Sequence, residues 1–361
     1  MAEFLLAIGT TKGLLLARST DRSTWQMSEP AFLMNGVYAV AIDTRGDTPR
    51  LLVSATSEHW GPSVFRSDDL GANWVEPDEG AIAFPEDTGT SLARVWQLAP
   101  SAAEPGVVWA GSEPQGLFRS EDGGEHFRFV RELWDHPHRP DWGAGFGGAA
   151  IHTVLPHPTD RDRVLVAMST GGVYRTQDAG RTWSASNGGV KVSFSPDPWP
   201  EFGQCVHKVA RDAAEPDRLF LQNHHGVYRS DDDGMSWTSI AADLPTDFGF
   251  AMVTHPRKGE VAYNFPVTAD RERLPPGRAC RVFRTEDSGA SWTPLGHGLP
   301  QQDYYGIVLR DAMCTDDGEP AGVYFGTRNG DVYASSDEGA GWALVAAHLP
   351  DVLCVRAAQI S

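Results

Sequence analysis

The stretch Ser230-Asp231-Asp232-Asp233-Gly234-Met235-Ser236-Trp237 decides the fold, because its pattern recurs along the chain. The pattern, called the box below, is Ser or Thr, any residue, Asp, any residue, Gly, two further residues and an aromatic residue. The other full copies lie at 67–74, 120–127, 176–183, 285–292 and 335–342. A weaker copy at 19–25 has its aromatic residue one position early. A segment that returns at intervals of roughly 50 residues indicates a repeat architecture.

Each box has the chemistry of a β-hairpin turn. A Ser or Thr hydroxyl and an Asp carboxylate bond nearby backbone amides, and Gly supplies a positive φ. The aromatic residue then starts the next strand. In the fourth repeat the pattern predicts strands over 151–155, 164–168, 173–176 and 182–185. Four short antiparallel strands in each of seven repeats predict an all-β fold, a seven-bladed β-propeller.

The two ends of the chain favour closure of this ring of blades. Residues 4–8 have the pattern of a second strand, and residues 352–357 have that of a first strand. One blade is then built from both termini, which leaves no free sheet edge. We therefore predict a single propeller domain over residues 1–361.

Composition and charge exclude several classes of protein. The chain has 48 acidic and 30 basic residues, a formal net charge of −18. This balance, without basic blocks, argues against nucleic acid and anionic membranes as partners. No apolar run approaches the roughly 20 residues of a membrane span. The N-terminus lacks the basic region of a signal peptide, and the four cysteines show no CxxC spacing. We therefore expect free, buried thiols and a cytoplasmic protein.

The box resembles that of the Asp-box, or BNR, repeat proteins of the sialidase-like superfamily. That group includes sialidases, xyloglucan-degrading hydrolases, sortilin-type receptors and photosystem II assembly factors. The resemblance implies that the box aspartates are turn residues on the face opposite the active site. These are Asp69, Asp122, Asp178, Asp232, Asp287 and Asp337. A true sialidase is disfavoured, because those enzymes have six blades and an Arg-Ile-Pro motif that this chain lacks.

Functional residues are therefore expected on the other face, in the loops between strands two and three and between blades. Aligning the inner strands equates Tyr38, Trp96, His152, His207, Ala251, Ile307 and Cys354. The candidate catalytic residues are His152, His207, Glu113 and Glu58. The candidate substrate-binding residues are Arg94, Trp96, His59, Trp60, Trp142, Trp199, Tyr305 and Arg328.

The histidines leave three interpretations open. Two inner-strand positions carry His152 and His207, and the loop of the second of these blades adds His224 and His225. They could be satisfied packing residues, general acids or bases near neutral pH, or ligands of a divalent metal with an open position. The metal set would be drawn from these four residues. Glu113 could supply the complementary acid or base, and Arg94 could anchor an anion.

The long segment between the third and fourth blades also allows two interpretations. It contains His136, His138, Trp142 and Phe146, followed by Gly147 and Gly148. Glycine hinges would let it close over a ligand as a flap, and the alternative is an ordered loop. Its tryptophan, like Trp60 and Trp199 elsewhere, could stack on a sugar or plug the loop onto the propeller rim.

These features favour an intracellular hydrolase or lyase. The expected ligand is a small molecule or carbohydrate, most plausibly a glycoconjugate in view of the resemblance. The chemistry would be general acid–base catalysis by a Glu and a His, with a histidine-bound divalent metal as one version. The alternative is a non-catalytic ligand-binding or assembly-factor propeller.

Overall fold

A computed structural model describes residues 2–145, 147–268 and 271–360. Phe146 of the predicted flap lies outside the described residues. The chain divides into two compact units. The first unit comprises Met1–Leu33, Gly188–Trp199 and His207–Ser361, and the second comprises Met34–Asn187 and Pro200–Val206.

The first unit holds four antiparallel sheets, numbered here as blades in chain order. Blade 1 consists of Phe4–Thr10, Gly13–Ser19, Gln26–Met27 and the C-terminal strand Val352–Gln359. Blade 5 consists of Val206–Arg211, Leu219–Asn223, Val227–Ser230 and Thr238–Ser239. Blade 6 consists of Gly249–Thr254, Ala262–Pro266, Val282–Thr285 and Thr293–Leu295. Blade 7 consists of Met313–Thr315, Val323–Gly326, Val332–Ser335 and Ala343–Ala346.

The second unit holds the other three sheets. Blade 2 consists of Gly36–Asp43, Arg50–Ser57 and Gly61–Ser67, and its outer fourth strand is reduced to a bridge between Arg66 and Val75. Blade 3 consists of Arg94–Pro100, Val108–Glu113, Gly116–Ser120 and Arg128–Phe129. Blade 4 consists of Ile151–Pro156, Val164–Met168, Gly172–Thr176 and Ser184–Ala185. The short helices are the α-helix Arg131–Trp134 and the 3₁₀ turns Glu86–Thr88, Arg139–Asp141 and Pro276–Arg278.

The protein is thus a seven-bladed β-propeller, and the first and last strands share blade 1, as predicted. The middle strand Val164–Met168 is buried along its whole length. A strand covered on both faces has a continuous apolar sequence rather than an alternating one. No helix in the described part of the chain is long and apolar enough to cross a membrane.

The box turns have the geometry that their residues predict. In the fifth blade the Ser230 hydroxyl donates to Asp232 (2.7 Å) and accepts the Gly234 amide (2.8 Å). Asp232 in turn accepts the Ser236 amide at 2.9 Å. The box glycines have φ between 86° and 93°. Hydrogen bonds from neighbouring backbone and side chains lower the pKa of Asp69 and Asp178 to about 2.

A second repeated device caps the turn between the first two strands, and the sequence analysis missed it. One acceptor side chain at the end of the first strand receives the backbone N–H two residues later. The acceptors are Asp43, His157, Asp212, His255 and Asp316. Two histidines of the chain are therefore turn caps, which a histidine count alone does not reveal.

The inner strands are bulged where they begin. The pairing register shifts at Tyr38 in blade 2, at Trp96 in blade 3 and at His152 in blade 4. Blade 6 has the same irregularity between Gly249 and Met252. A bulge re-aims one side chain and bends the strand. In these blades, the positions that the sequence alignment equates on the inner strands therefore coincide with a β-bulge.

Candidate functional site

In the second unit, Glu113 is the centre of a polar and aromatic cluster at the loop end of blade 3. It ends the second strand and pairs in register with Arg94, which begins the first strand. Its Oε2 accepts the Arg94 guanidinium at 2.9 Å and the Trp96 indole N–H at 3.0 Å. The ring of Tyr38 lies edge-on to that of Trp96, with 5.3 Å between the ring centroids. The Arg94 guanidinium lies 5.1 Å from the centroid of the Tyr38 ring. The bulge at Trp96 therefore lies where its indole reaches the Glu113 carboxylate, and the Tyr38 ring packs against that indole.

Gly148 leaves room for this carboxylate. It has φ 96°, and a Cβ atom added to it would lie 2.3 Å from Glu113 Oε1. No side chain can be placed there without moving the glutamate or the loop. The glycine that the sequence suggested as a flap hinge thus also shapes the surroundings of Glu113.

The loop between the second and third strands of blade 2 projects into solvent. Glu58, His59 and Trp60 are all exposed, and the Trp60 side chain is 93% exposed. The Ser57 hydroxyl accepts the backbone N–H groups of His59 and Trp60, which fixes the turn. A fully exposed indole is available for stacking on a ligand.

Trp142, by contrast, is buried, so the structure does not offer its ring to a ligand. Its indole N–H donates to the Tyr174 hydroxyl at 2.9 Å, and His138 Nδ1 contacts the same hydroxyl at 3.0 Å. The His138 ring stacks on Phe202, with 4.0 Å between centroids. These contacts fasten the segment to blade 4, which favours the ordered loop over the flap.

His152 has the contacts of a satisfied core residue. It is fully buried, and its Nε2 donates to the Val206 carbonyl at 2.9 Å. Its Nδ1 therefore accepts the Thr153 hydroxyl, 3.1 Å away. Both ring nitrogens are engaged, so neither is open to a metal or a substrate proton in this arrangement.

In the first unit, His207 and His224 form an imidazole pair. Their rings lie 5.3 Å apart, and the His225 ring is 4.7 Å from that of His224. His207 is buried and stacks on Phe250 at 4.8 Å. Its Nδ1 donates to the Gly249 carbonyl at 2.6 Å. Burial and the nearby Arg310 guanidinium hold the pKa of His207 well below its usual value.

The remaining predicted residues of the first unit are on its surface. Trp199 and Tyr305 are exposed, and the Tyr305 hydroxyl accepts the Arg278 guanidinium at 3.2 Å. Arg328 forms an ion pair with Asp351, with 2.7 Å between Nη2 and Oδ2. Any ligand that uses Arg328 therefore competes with Asp351.

The sequence analysis missed a buried charge cluster in the first unit. Asp311 Oδ1 accepts Lys208 Nζ at 2.8 Å and Arg356 Nη2 at 2.7 Å. The two cations lower the pKa of Asp311 against the opposing effect of burial. The one signal in the sequence is Lys208, one of four lysines in the chain, which lies within the first strand of blade 5.

No protein-family model matches the chain. It is 26% identical to the oligoxyloglucan-reducing end-specific xyloglucanase of Emericella nidulans, over 86% of this chain and 43% of that protein. The chain therefore spans less than half of that curated relative's length. Membership of the Asp-box proteins, which the box motif suggests, stays a prediction.

Solved structures show the same fold. An ancestral GH74 enzyme superimposes with a TM-score of 0.56 at 17% identity, over 85% of this chain and 38% of that chain. YCF48 from Cyanidioschyzon merolae gives a TM-score of 0.53 at 14% identity, over 86% of this chain and 84% of that chain. At these identities the likeness concerns the propeller fold alone.

Proposed function

We propose that this protein is a carbohydrate-cleaving enzyme of the glycoside-hydrolase type, with Glu113 as its central catalytic residue. The observation that carries the proposal is the carboxylate of Glu113, held by Arg94 and by Trp96, whose ring packs against Tyr38. The relative named as a xyloglucanase supports a polysaccharide substrate, with xyloglucan oligosaccharides as the first class to test.

The contacts of Glu113 support a particular role for it within such a reaction. A guanidinium and an indole N–H both donate to Oε2, so that oxygen of Glu113 acts as a hydrogen-bond acceptor. An ionised carboxylate serves as nucleophile, as general base or as the partner of an oxocarbenium-like transition state. The proton donor is then another group, and we propose Glu58 or His59 of the exposed loop for this role. Trp60 supplies an open ring face for a sugar.

The test is hydrolysis of xyloglucan and other β-glucan oligosaccharides, measured as new reducing ends, together with a panel of aryl glycosides and esters. Glu113→Gln keeps the shape but removes the charge, and we expect kcat/KM to fall by at least about 100-fold. The matched control is Glu104→Gln, because Glu104 has a 19% exposed side chain paired with Arg119, against 18% for Glu113 paired with Arg94. Full activity in Glu113→Gln would overturn the assignment.

A non-catalytic ligand-binding propeller is the second candidate. The described side-chain hydrogen bonds of Glu113 are with a guanidinium and an indole, and neither is the second carboxylate that glycosidases use. YCF48 is a propeller of comparable size whose structure superimposes on this chain. Calorimetric binding of an oligosaccharide without turnover, lost in Glu113→Gln, would favour this candidate over the enzyme.

We further propose that the protein acts inside the cell. The support is that Cys205, Cys280, Cys314 and Cys354 are buried thiols without a disulfide. Fractionation of the source cells with an antibody against the protein tests this, and recovery in the culture medium would contradict it.

A further inference from the structure

A cavity of about 180 Å³ in the second unit lies between blade 3 and the box turn of blade 4. Glu113, Arg94 and Trp96 are not among its lining residues, so it is a different place from the active site proposed above. An engineered protein cavity of roughly 150 Å³ holds one benzene ring. The cavity beside blade 3 is therefore large enough for a ligand with a single six-membered ring.

The cavity lies where a contact between neighbouring blades is replaced by contacts within one blade. In blades 5 and 6 the arginine that ends the third strand donates to a backbone carbonyl in the box of the next blade, at 3.1 Å from Arg229 to Ser288 and at 3.2 Å from Arg284 to Glu338. Arg119 has the same position in blade 3. Its guanidinium instead pairs with Glu104 and Glu121 of its own blade. The space that such an arginine spans in blades 5 and 6 therefore stays open beside Arg119.

Two arginines face each other across the outer strands of blade 3. Arg119 and Arg128 are directly opposite in the antiparallel pair. In blades 4, 5 and 6 the residue opposite the corresponding arginine is neutral: Ser184, Thr238 or Thr293. Like charges directly opposite each other destabilise a sheet. Arg119 is compensated by its two glutamates, whereas the described residues include no ion-pair partner for Arg128, so an anion in the cavity would relieve this repulsion.

Arg181 adds a guanidinium from the other side of the cavity, in the box of blade 4. Its Nε donates to the Asp178 carbonyl at 2.9 Å, which anchors the side chain to its own turn. The described contacts of Arg181 leave its two terminal nitrogens to a ligand. Guanidinium groups bind carboxylates and phosphates through paired N–H bonds. Arg128 and Arg181 therefore favour a ligand with one such anionic group.

The other walls of the cavity suit a ring that carries hydroxyl groups. A Cβ atom built on Gly180 would lie 3.9 Å from Trp109 Cη2 and 4.0 Å from Val130 Cγ1, so these side chains form an apolar wall beside that glycine. Glu132, on the short helix Arg131–Trp134, adds a carboxylate to the lining. A carboxylate repels an anion but accepts hydrogen bonds from hydroxyl groups. A ligand with both an anionic group and hydroxyl groups therefore matches the charged residues of both signs.

We propose that this cavity binds one acidic monosaccharide, a six-membered sugar ring that carries a carboxylate or a phosphate. Arg128 and Arg181 bind the anionic group, and Glu132 accepts a ring hydroxyl. The site goes beyond the proposed hydrolase function, because it does not involve Glu113 and breaks no bond in its ligand.

Isothermal titration calorimetry of the full chain tests the site, with glucuronate and glucose 6-phosphate as probes and glucose as the neutral control. We expect one bound anion per chain, and the probe that binds more tightly identifies the anionic group. Glucose should bind at least about 10-fold more weakly, because it cannot use the guanidiniums. Arg128→Ala and Arg181→Ala alter exposed side chains and should keep the fold. Each should weaken binding of the anion by about 10-fold or more.

Two control variants separate this site from the overall charge and from Glu113. Arg161→Ala removes another exposed guanidinium of the second unit that does not line the cavity, and it should leave the affinity unchanged. Glu113→Gln should also bind the anion as the wild type does, whatever its effect on hydrolysis. The site would be overturned if neither anion binds saturably, if glucose binds as tightly, or if Arg161→Ala weakens binding as much as Arg128→Ala. Loss of binding in Glu113→Gln would place the anion at Glu113 and would overturn it as well.

Discussion

The box turns and the bulged starts of several inner strands both recur from blade to blade. The box turns repeat the same side chains, whereas the bulges repeat only a backbone conformation. The box repeats its side chains, so each copy forms the same bonds, such as Ser230 to Asp232 and Thr176 to Asp178. The bulge repeats only a backbone irregularity and presents Tyr38, Trp96 or His152 in different blades. Uniform side chains indicate a structural device, whereas a uniform backbone with varied side chains is typical of a scaffold that carries a site.

The boxes and the inner strands also differ in where their charged and polar side chains lie. The box aspartates satisfy their charges at the surface, through hydrogen bonds within one turn. The inner strand Val206–Arg211, by contrast, carries two buried polar side chains: Lys208, which pairs with the buried Asp311, and His207. Burial of charge is costly unless every charge is paired, so changes on the inner strands should have larger effects than changes in the boxes.

The largest effect on stability is expected for Asp311→Asn. It leaves the Lys208 ammonium and the Arg356 guanidinium without their shared carboxylate, and it should lower the free energy of unfolding by about 3–5 kcal/mol. Denaturant unfolding followed by circular dichroism measures this. The control Asp303→Asn breaks a surface pair with Arg278 and should cost at most about 1 kcal/mol. An equal loss of unfolding free energy in the two variants would contradict the expected difference between buried and surface ion pairs.

A matched pair of glycines tests the two regions directly. Gly180, in a box, has φ 89° and its nearest neighbour is 3.8 Å from an added Cβ, whereas at Gly148 (φ 96°) that distance is 2.3 Å, to Glu113. Both changes to Ala should cost about 1–3 kcal/mol of stability through the positive φ. Gly148→Ala should also displace Glu113 and lower the activity proposed above by about 100-fold.

Gly180→Ala is expected to keep full activity once its lower stability is allowed for. Activity that falls equally in both glycine variants would show that the box region also shapes the site. Activity that falls in neither would show that the position of Glu113 is unimportant.

The sequence predicts the box region far better than the site. The sequence predicts strands over 151–155, 164–168 and 173–176, and the structure has Ile151–Pro156, Val164–Met168 and Gly172–Thr176. The fourth predicted strand, 182–185, is shorter in the structure, Ser184–Ala185. These predictions rest on local patterns. The bulges depend on pairing register between strands, which no single strand encodes.

Contacts between residues far apart in the sequence are the other reason why the site is harder to predict than the boxes. Trp60 and Trp142 both look like loop tryptophans in the sequence, but Tyr174 buries only the second. The ion pair of Lys208 joins residues 103 positions apart. The sequence marks both Arg94 and Glu113 as candidates, but their direct pairing follows only from the strand register. The candidate residues could thus be grouped by face, while their partners could not be predicted.

The smallest effect is expected in a box, for Asp178→Asn. The amide keeps the shape, and its oxygen can still accept from the Thr176 hydroxyl and the Thr182 backbone N–H, whereas the NH2 group in place of Oδ2 cannot accept the Thr182 hydroxyl. The pKa of Asp178 is lowered from 3.8 to about 2 in the folded protein. A lowered pKa stabilises the folded state above the unfolded value, and this contribution is lost as the pH falls from 3.8 to about 2.

Asp178→Asn should therefore be less stable than the wild type at pH 7, and the difference should shrink below pH 3.8 and vanish near pH 2. Denaturant unfolding at a series of pH values measures the difference. If it stays constant across that range, the aspartate contributes through shape rather than charge. The boxes would then stabilise the blades without depending on acid pH, and the acid sensitivity of the fold would have to arise from the paired ions of the inner strands.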